Sequence, residues 1–174
     1  MTEGTTTASA NPLRVISRTI GAISTLCGII AATLILVSVI VTCQMIFVRF
    51  VLGVSTIWQT EFVTYMMIGA TLIGLPYVQK LRGHVNVDLV PNLLPAGARR
   101  VLMAGVALLS VAVLAVMAYY GYELFHLAYV RGWTSDTVWG PPLWIPYVTL
   151  PVGFGLFILQ LLADILDALD GRDL

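Results

Sequence analysis

The residues able to do chemistry are few and widely spread. Glu61 is a lone carboxylate inside the run STIWQTEFVTYMMIGATLIGLP, residues 55–76. A carboxylate in hydrocarbon is costly, so its position marks either a proton or ion carrier or a paired anchor. Histidine occurs as His84 and His126, and cysteine as Cys27 and Cys43. Asp164, Asp167 and Asp170 recur every three residues towards the end of the chain. That spacing puts them on one face of a helical extension, where a solvated face is the plain reading. HExxH, CxxC, clustered carboxylates and a Gly-rich phosphate loop are all absent from the sequence, so no motif for enzymatic chemistry is present.

The elements that must carry these residues follow from composition. Of 174 residues, 59% are hydrophobic and only 10% charged, and the mean hydropathy is +0.93. A soluble domain carries roughly 25% charged residues, so the chain reads as an all-α membrane protein. Four transmembrane helices are predicted, at about 19–48, 58–78, 101–124 and 143–163. Residues 1–13, rich in Thr, Ser and Ala, read as a disordered tail, and 14–174 as one membrane domain. The first run is about 45 Å long as helix, longer than the ~30 Å hydrocarbon core, and must tilt or emerge. Cys27 and Cys43 fall on it roughly 24 Å apart, too far for a disulfide within that helix.

Arg14, Arg18, Lys80, Arg82, Arg99, Arg100 and Arg172 lie at one set of span ends, and only Arg49 and Arg131 at the other. The positive-inside rule places both termini in the cytoplasm. Trp58, Trp133, Trp139 and Trp144 then gather at the outer interface, as an aromatic belt would. Net charge is zero without a long basic run, which argues against nucleic-acid binding. Between spans 2 and 3, LRGHVNVDLVPNLLPAGARR is too polar to cross and too apolar for a free loop. An in-plane amphipathic helix on the cytoplasmic face fits it, capped by Asn86 or Asp88. The outer connection HLAYVRGWTSDTVWGPP reads as an ordered, membrane-skimming loop. Pro146 and Pro151 fall within the fourth span, where Pro bends helices. Gly28/Ala32 and Ala70/Gly74 have the small-xxx-small spacing of close helix contacts.

Depth then sorts the polar residues. His84 and His126 belong to opposite membrane faces, on the order of 30 Å apart, and cannot share a haem or a metal. Glu61 lies one turn inside Trp58 and is therefore shallow. Arg49 ends the first span at similar depth, so an Arg49–Glu61 pair across the hairpin is the economical reading. A carrier carboxylate belongs near the midplane. Glu123, at the outer end of span 3, reads as a surface group near Arg131 or a partner's cation. No predicted span has a charge at its centre.

The ordered motifs resemble the small, Q-type membrane subunit of tripartite ATP-independent periplasmic (TRAP) transporters. The features are Trp58, Glu61, Gly69-Ala70, Arg82-Gly83-His84, Val87-Asp88 and Leu94-Pro95, followed by Trp144, Tyr147 and Pro151-Val152-Gly153-Phe154. Thr60 and Thr64 stand where that family often has an acid and a base. The resemblance implies a multi-pass inner-membrane protein that is not an enzyme, has no catalytic, substrate or metal site, and carries no cofactor. Its implied partners are a large permease subunit, whose scaffold it braces, a periplasmic solute-binding protein, and interfacial phospholipid. Sodium coupling would reside in the large subunit, driving uptake of an organic anion or related solute. Arg49, Trp58, Glu61, His84, Asp88, Glu123 and Arg131 are the structural or interface candidates. The alternative is an autonomous four-helix proton-coupled exporter using Glu61; a haem-anchoring enzyme subunit fits the histidine placement poorly.

His84 and Asp88, four residues apart, read either as a corner that orients the in-plane helix against the large subunit or as a capping Asp and a solvent-facing His. His84→Ala is expected to lower co-purification of that subunit; unchanged complex yield would remove the role.

Overall fold

Hydrocarbon offers the backbone no hydrogen-bond partners, so apolar runs must fold as helices that satisfy themselves. A computed structural model describes residues 12–81 and 95–169. Helix α1 spans Pro12–Phe47 and ends in a π-helical turn, Val48–Leu52; α2 spans Ile57–Lys80 and α3 Ala96–Val130. A short α4, Trp144–Tyr147, leads into α5, Thr149–Leu169. Four of these helices are long and apolar enough to cross a membrane, as the all-α reading requires. Each predicted span falls on one of them, with shifted ends.

Helix α1 already begins at Pro12, inside the expected tail, whose residues 1–11 lie outside the described chain. The expected in-plane helix, with His84 and Asp88, also lies outside the described residues. The third helix runs six residues beyond the predicted end at 124. Glu123 and His126 do not stop it, because a helix ends where its backbone is released rather than where polarity rises. The release comes at Gly132, whose φ is +60°. Gly132 N donates to Tyr129 O at 3.3 Å and Trp133 N to Ala128 O at 3.0 Å, the paired bonds of a Schellman cap. Only a residue tolerant of the left-handed region closes a helix this way.

The fourth span is interrupted at Val148, between α4 and α5. Pro151 lies in the first turn of α5, where its missing N–H does least harm. The Thr149 hydroxyl donates to the carbonyl of Pro146 at 2.6 Å, covering an acceptor at the break.

Packing divides the molecule into two hairpins, α1–α2 and α3–α5, joined mainly where α2 meets α5. Among the described residues helix α1 also touches α5, whereas α3 contacts no helix besides α4 and α5. The most apolar stretch of α3 is accordingly 11% buried, against 28% for α2. Within the first hairpin, a β-carbon on Gly28 would fall within 3.0 Å of three ring atoms of Tyr77, and one on Gly74 would stand 3.3 Å from Cβ of Ala31. Of the small-residue spacings in the sequence, Gly28 and Gly74 thus serve the α1–α2 contact, while Ala32 is exposed.

The seam between hairpins is tighter. Pro76 is fully buried in α2. It has no N–H to give to the carbonyl four residues back, that of Leu72. That oxygen faces Gly153 of α5 so closely that a β-carbon there would lie 2.6 Å from it. A freed carbonyl meeting a glycine Cα is the geometry of a weak C–H···O contact. Gly153→Ala should lower the thermal midpoint of the detergent-purified chain, with overpacking costing about 1–3 kcal/mol. Gly105→Ala, which meets open space, should leave it nearly unchanged.

Candidate functional site

The polar side chains collect at the two ends of the bundle. At the hairpin end, Glu61 sits four residues into α2, and the loop of residues 131–143 folds over it. That loop holds its shape through backbone bonds: Ser135 N to Pro141 O at 3.0 Å and Leu143 N to Trp133 O at 2.9 Å. Gly140, at φ +57°, turns it back.

Glu61 Oε1 accepts from the Tyr65 hydroxyl at 2.8 Å, and Oε2 accepts from the Thr137 hydroxyl. Ser135 Oγ in turn donates to Thr137 Oγ1 at 3.4 Å. The ring of Trp58 meets Trp139 edge-on, centroids 6.4 Å apart at 65°. The carboxylate and the indole together fasten the start of α2 to the loop.

This corrects the expected Arg49–Glu61 pair. Among the described residues Glu61 is held by hydroxyls, one of them 76 residues away, and Arg49 is in no ion pair. Arg49 instead lies in the π-helical turn and lines an open hollow of about 280 Å³ with Val54, Ser55, Thr56, Ile57 and Thr60. Glu123 is likewise not brought to Arg131; it accepts from the Tyr119 hydroxyl one turn earlier at 3.1 Å. Arg131 caps α3 through its backbone N–H, bonded to Leu127 O at 3.0 Å. His126 stacks on Tyr122 at 6.1 Å.

At the opposite end, a polar chain ties three helices. Ser24 of α1 donates to Gln160 Oε1 of α5 at 2.5 Å. Gln160 Nε2 donates to Asp164 Oδ1 at 2.8 Å, and Gln79 Nε2 of α2 donates to Oδ2 at 2.9 Å. Ser24 and Gln160 are only 2% and 4% exposed. Beside them Lys80 Nζ reaches back to α1, donating to Gly21 O at 2.7 Å and Thr25 Oγ1 at 2.6 Å. Asp164 is therefore a half-buried acceptor between helices rather than part of a solvated face. Its sequence signal was the Gln160/Asp164 spacing of one turn; the partner, Gln79, is 85 residues away.

Between these ends the described spans carry no charged side chain. Four of their hydroxyls bond their own backbone one turn back: Thr33 to Ile29 O, Ser38 to Leu34 O, Thr64 to Thr60 O and Thr71 to Met67 O, at 2.8–2.9 Å. Such bonds consume the hydroxyl within its own helix. The chemistry available is that of fastening: two polar ends and a dry, small-residue middle.

Fold and polar groups together define a four-span helical membrane protein whose polar side chains bind its own helices and loops to one another. The family of TRAP transporters, DctQ component, matches residues 38–171. Over 125 residues the chain is 30% identical to the ectoine TRAP transporter small permease protein TeaB of Halomonas elongata, covering 72% of this chain and 64% of that protein. Over 111 residues it is 25% identical to the isethionate TRAP transporter permease protein DctMQ of Oleidesulfovibrio alaskensis, covering 64% of this chain and 17% of that one. The chain thus spans just under two thirds of the first relative and a small part of the second. It belongs to the family of TRAP transporters, DctQ component, and is a multi-pass protein of the bacterial inner membrane.

Replacing Asp164 by Ala leaves two amide donors without their acceptor, and a buried donor so stranded costs about 1–3 kcal/mol. Asp164→Ala should lower the thermal midpoint in detergent, whereas Glu61→Ala should chiefly speed hydrogen exchange in residues 131–143. An unchanged midpoint for the first would show that the three-helix chain adds nothing to stability.

Proposed function

We propose that this chain is a non-enzymatic scaffold, bracing the large permease subunit of a TRAP transporter and binding no solute itself. The observation that carries this reading is the apolar middle: among the described residues no charge lies there, and the hydroxyls of Thr33, Ser38, Thr64 and Thr71 are spent on their own helices. A carrier needs groups that a polar solute or ion can reach near mid-depth. The large subunit would supply them, with sodium coupling. The exposed apolar face of α3, which among the described helices touches α4 and α5 alone, supports contact with that subunit and intervening lipid.

The basic residues at the end carrying both termini support a cytoplasmic position for them. The hairpin end is then periplasmic, and the clasp of Glu61, Thr137, Trp58 and Trp139 gives the solute-binding protein a firm surface to dock on. The two relatives are named for different solutes, ectoine and isethionate. We accordingly assign the choice of solute to the other subunits and read the cargo as an organic anion or related compound. The exporter alternative is weakened by Glu61, which lies shallow and has both oxygens engaged.

Proteoliposomes containing this chain alone should accumulate no solute under a sodium or proton gradient. Adding the large subunit and the loaded binding protein should produce uptake. Accumulation by the isolated chain, abolished in Glu61→Gln, would establish the exporter instead.

A further inference from the structure

Arg49 is an unspent cation at a built corner. Every carboxylate that could reach it within the hairpin is used elsewhere: Glu61 is bonded to Tyr65 and Thr137. A π-helical turn adds a residue to the turn and shifts side chains out of register; here it carries Arg49 to the hollow between α1 and α2. The same hollow is lined by Thr56, the residue that precedes the 24-residue α2. Thr56 is 8% exposed, yet its hydroxyl makes no capping bond to its helix and has no partner among the described residues. The first N–H groups of α2 therefore open beside an unpartnered hydroxyl and a guanidinium. N–H groups at a helix start, together with the helix dipole, favour an anion, and a guanidinium fork matches the oxygens of phosphate.

The surroundings select the source of that phosphate. Phe50, Val51, Leu52 and Val54 are each more than half exposed, and Val54 lines the hollow while the other three follow Arg49 in the π-helical turn. A free anion has no use for such a collar, whereas acyl chains do. We propose that the hollow formed by Arg49, Thr56 and the start of α2 is a phosphate subsite, occupied by the headgroup of a phospholipid whose chains lie along the apolar collar. The site would fasten the hairpin at a fixed depth. It stands apart from the scaffold reading, since it requires neither the large subunit nor transport.

The test uses the full chain in a phosphate-free sugar detergent, with binding followed by native mass spectrometry and thermal shift. Three probes are added separately: phosphatidylglycerol, diacylglycerol with the same chains, and inorganic phosphate. Phosphatidylglycerol should bind and raise the thermal midpoint, and diacylglycerol should not. Arg49→Gln and Thr56→Val should each weaken that binding, Arg49→Gln by about tenfold or more for a lost charged hydrogen bond. Arg131→Gln, at the same end but outside the hollow, should leave it unchanged. Inorganic phosphate acting alone, and lost in Arg49→Gln, would support the subsite with a free anion as its occupant. Equal binding of diacylglycerol, or wild-type affinity in both hollow variants, would overturn the proposal. The lipid comparison on the unaltered chain holds even if Arg49→Gln fails to fold.

Discussion

The contact between α2 and α5 is the constraint on which the arrangement rests. Among the described residues the hairpins meet chiefly along this line, since α3 contacts no helix besides α4 and α5. Pro76 removes one backbone donor from α2, and the Leu72 carbonyl left over is aimed at Gly153, the one residue type that leaves room for it. What would be a defect in an isolated helix becomes a place where two backbones approach unusually closely. In a bilayer, where lipid is as apolar as any side chain, such close packing is a main source of helix association.

Polar bonds reinforce the seam at its ends. The Ser24–Gln160–Asp164–Gln79 chain crosses from α1 through α5 to α2, and the Glu61–Thr137 and Trp58–Trp139 contacts tie α2 to the loop before α4. Among the described residues no comparable bond between helices is found in the middle. The division is economical: hydrogen bonds sit where the chain nears water, and small residues sit where it does not.

Much of this could be read from the sequence. Four apolar runs gave four helices, and Glu61 falls near the start of the second of them. Its partner was not legible, because Arg49 offers an obvious opposite charge nearby while Thr137 is an ordinary hydroxyl far along the chain. Asp164 was misread for a similar reason. A three-residue spacing of acids suggests a wet face, and the amide that claims Asp164 belongs to another helix. The span predicted to end at about 124 continues as helix to Val130, and Gly132 supplies the stop. Pro76 stood in plain view, but its meaning depends on Gly153 lying opposite.

The connection between α1 and α2 is only four residues, 53–56, turned by Gly53 at φ +62°. A linker that short brings two neighbouring spans together as soon as both have left the ribosome, and chains generally assemble from the N-terminal side during synthesis. The first pair therefore presents the freed Leu72 oxygen and the Gln79 amide before Gly153 and Asp164 have been translated. The later half of the polypeptide inserts against a surface that is already made, and the order of manufacture follows the order of the chain.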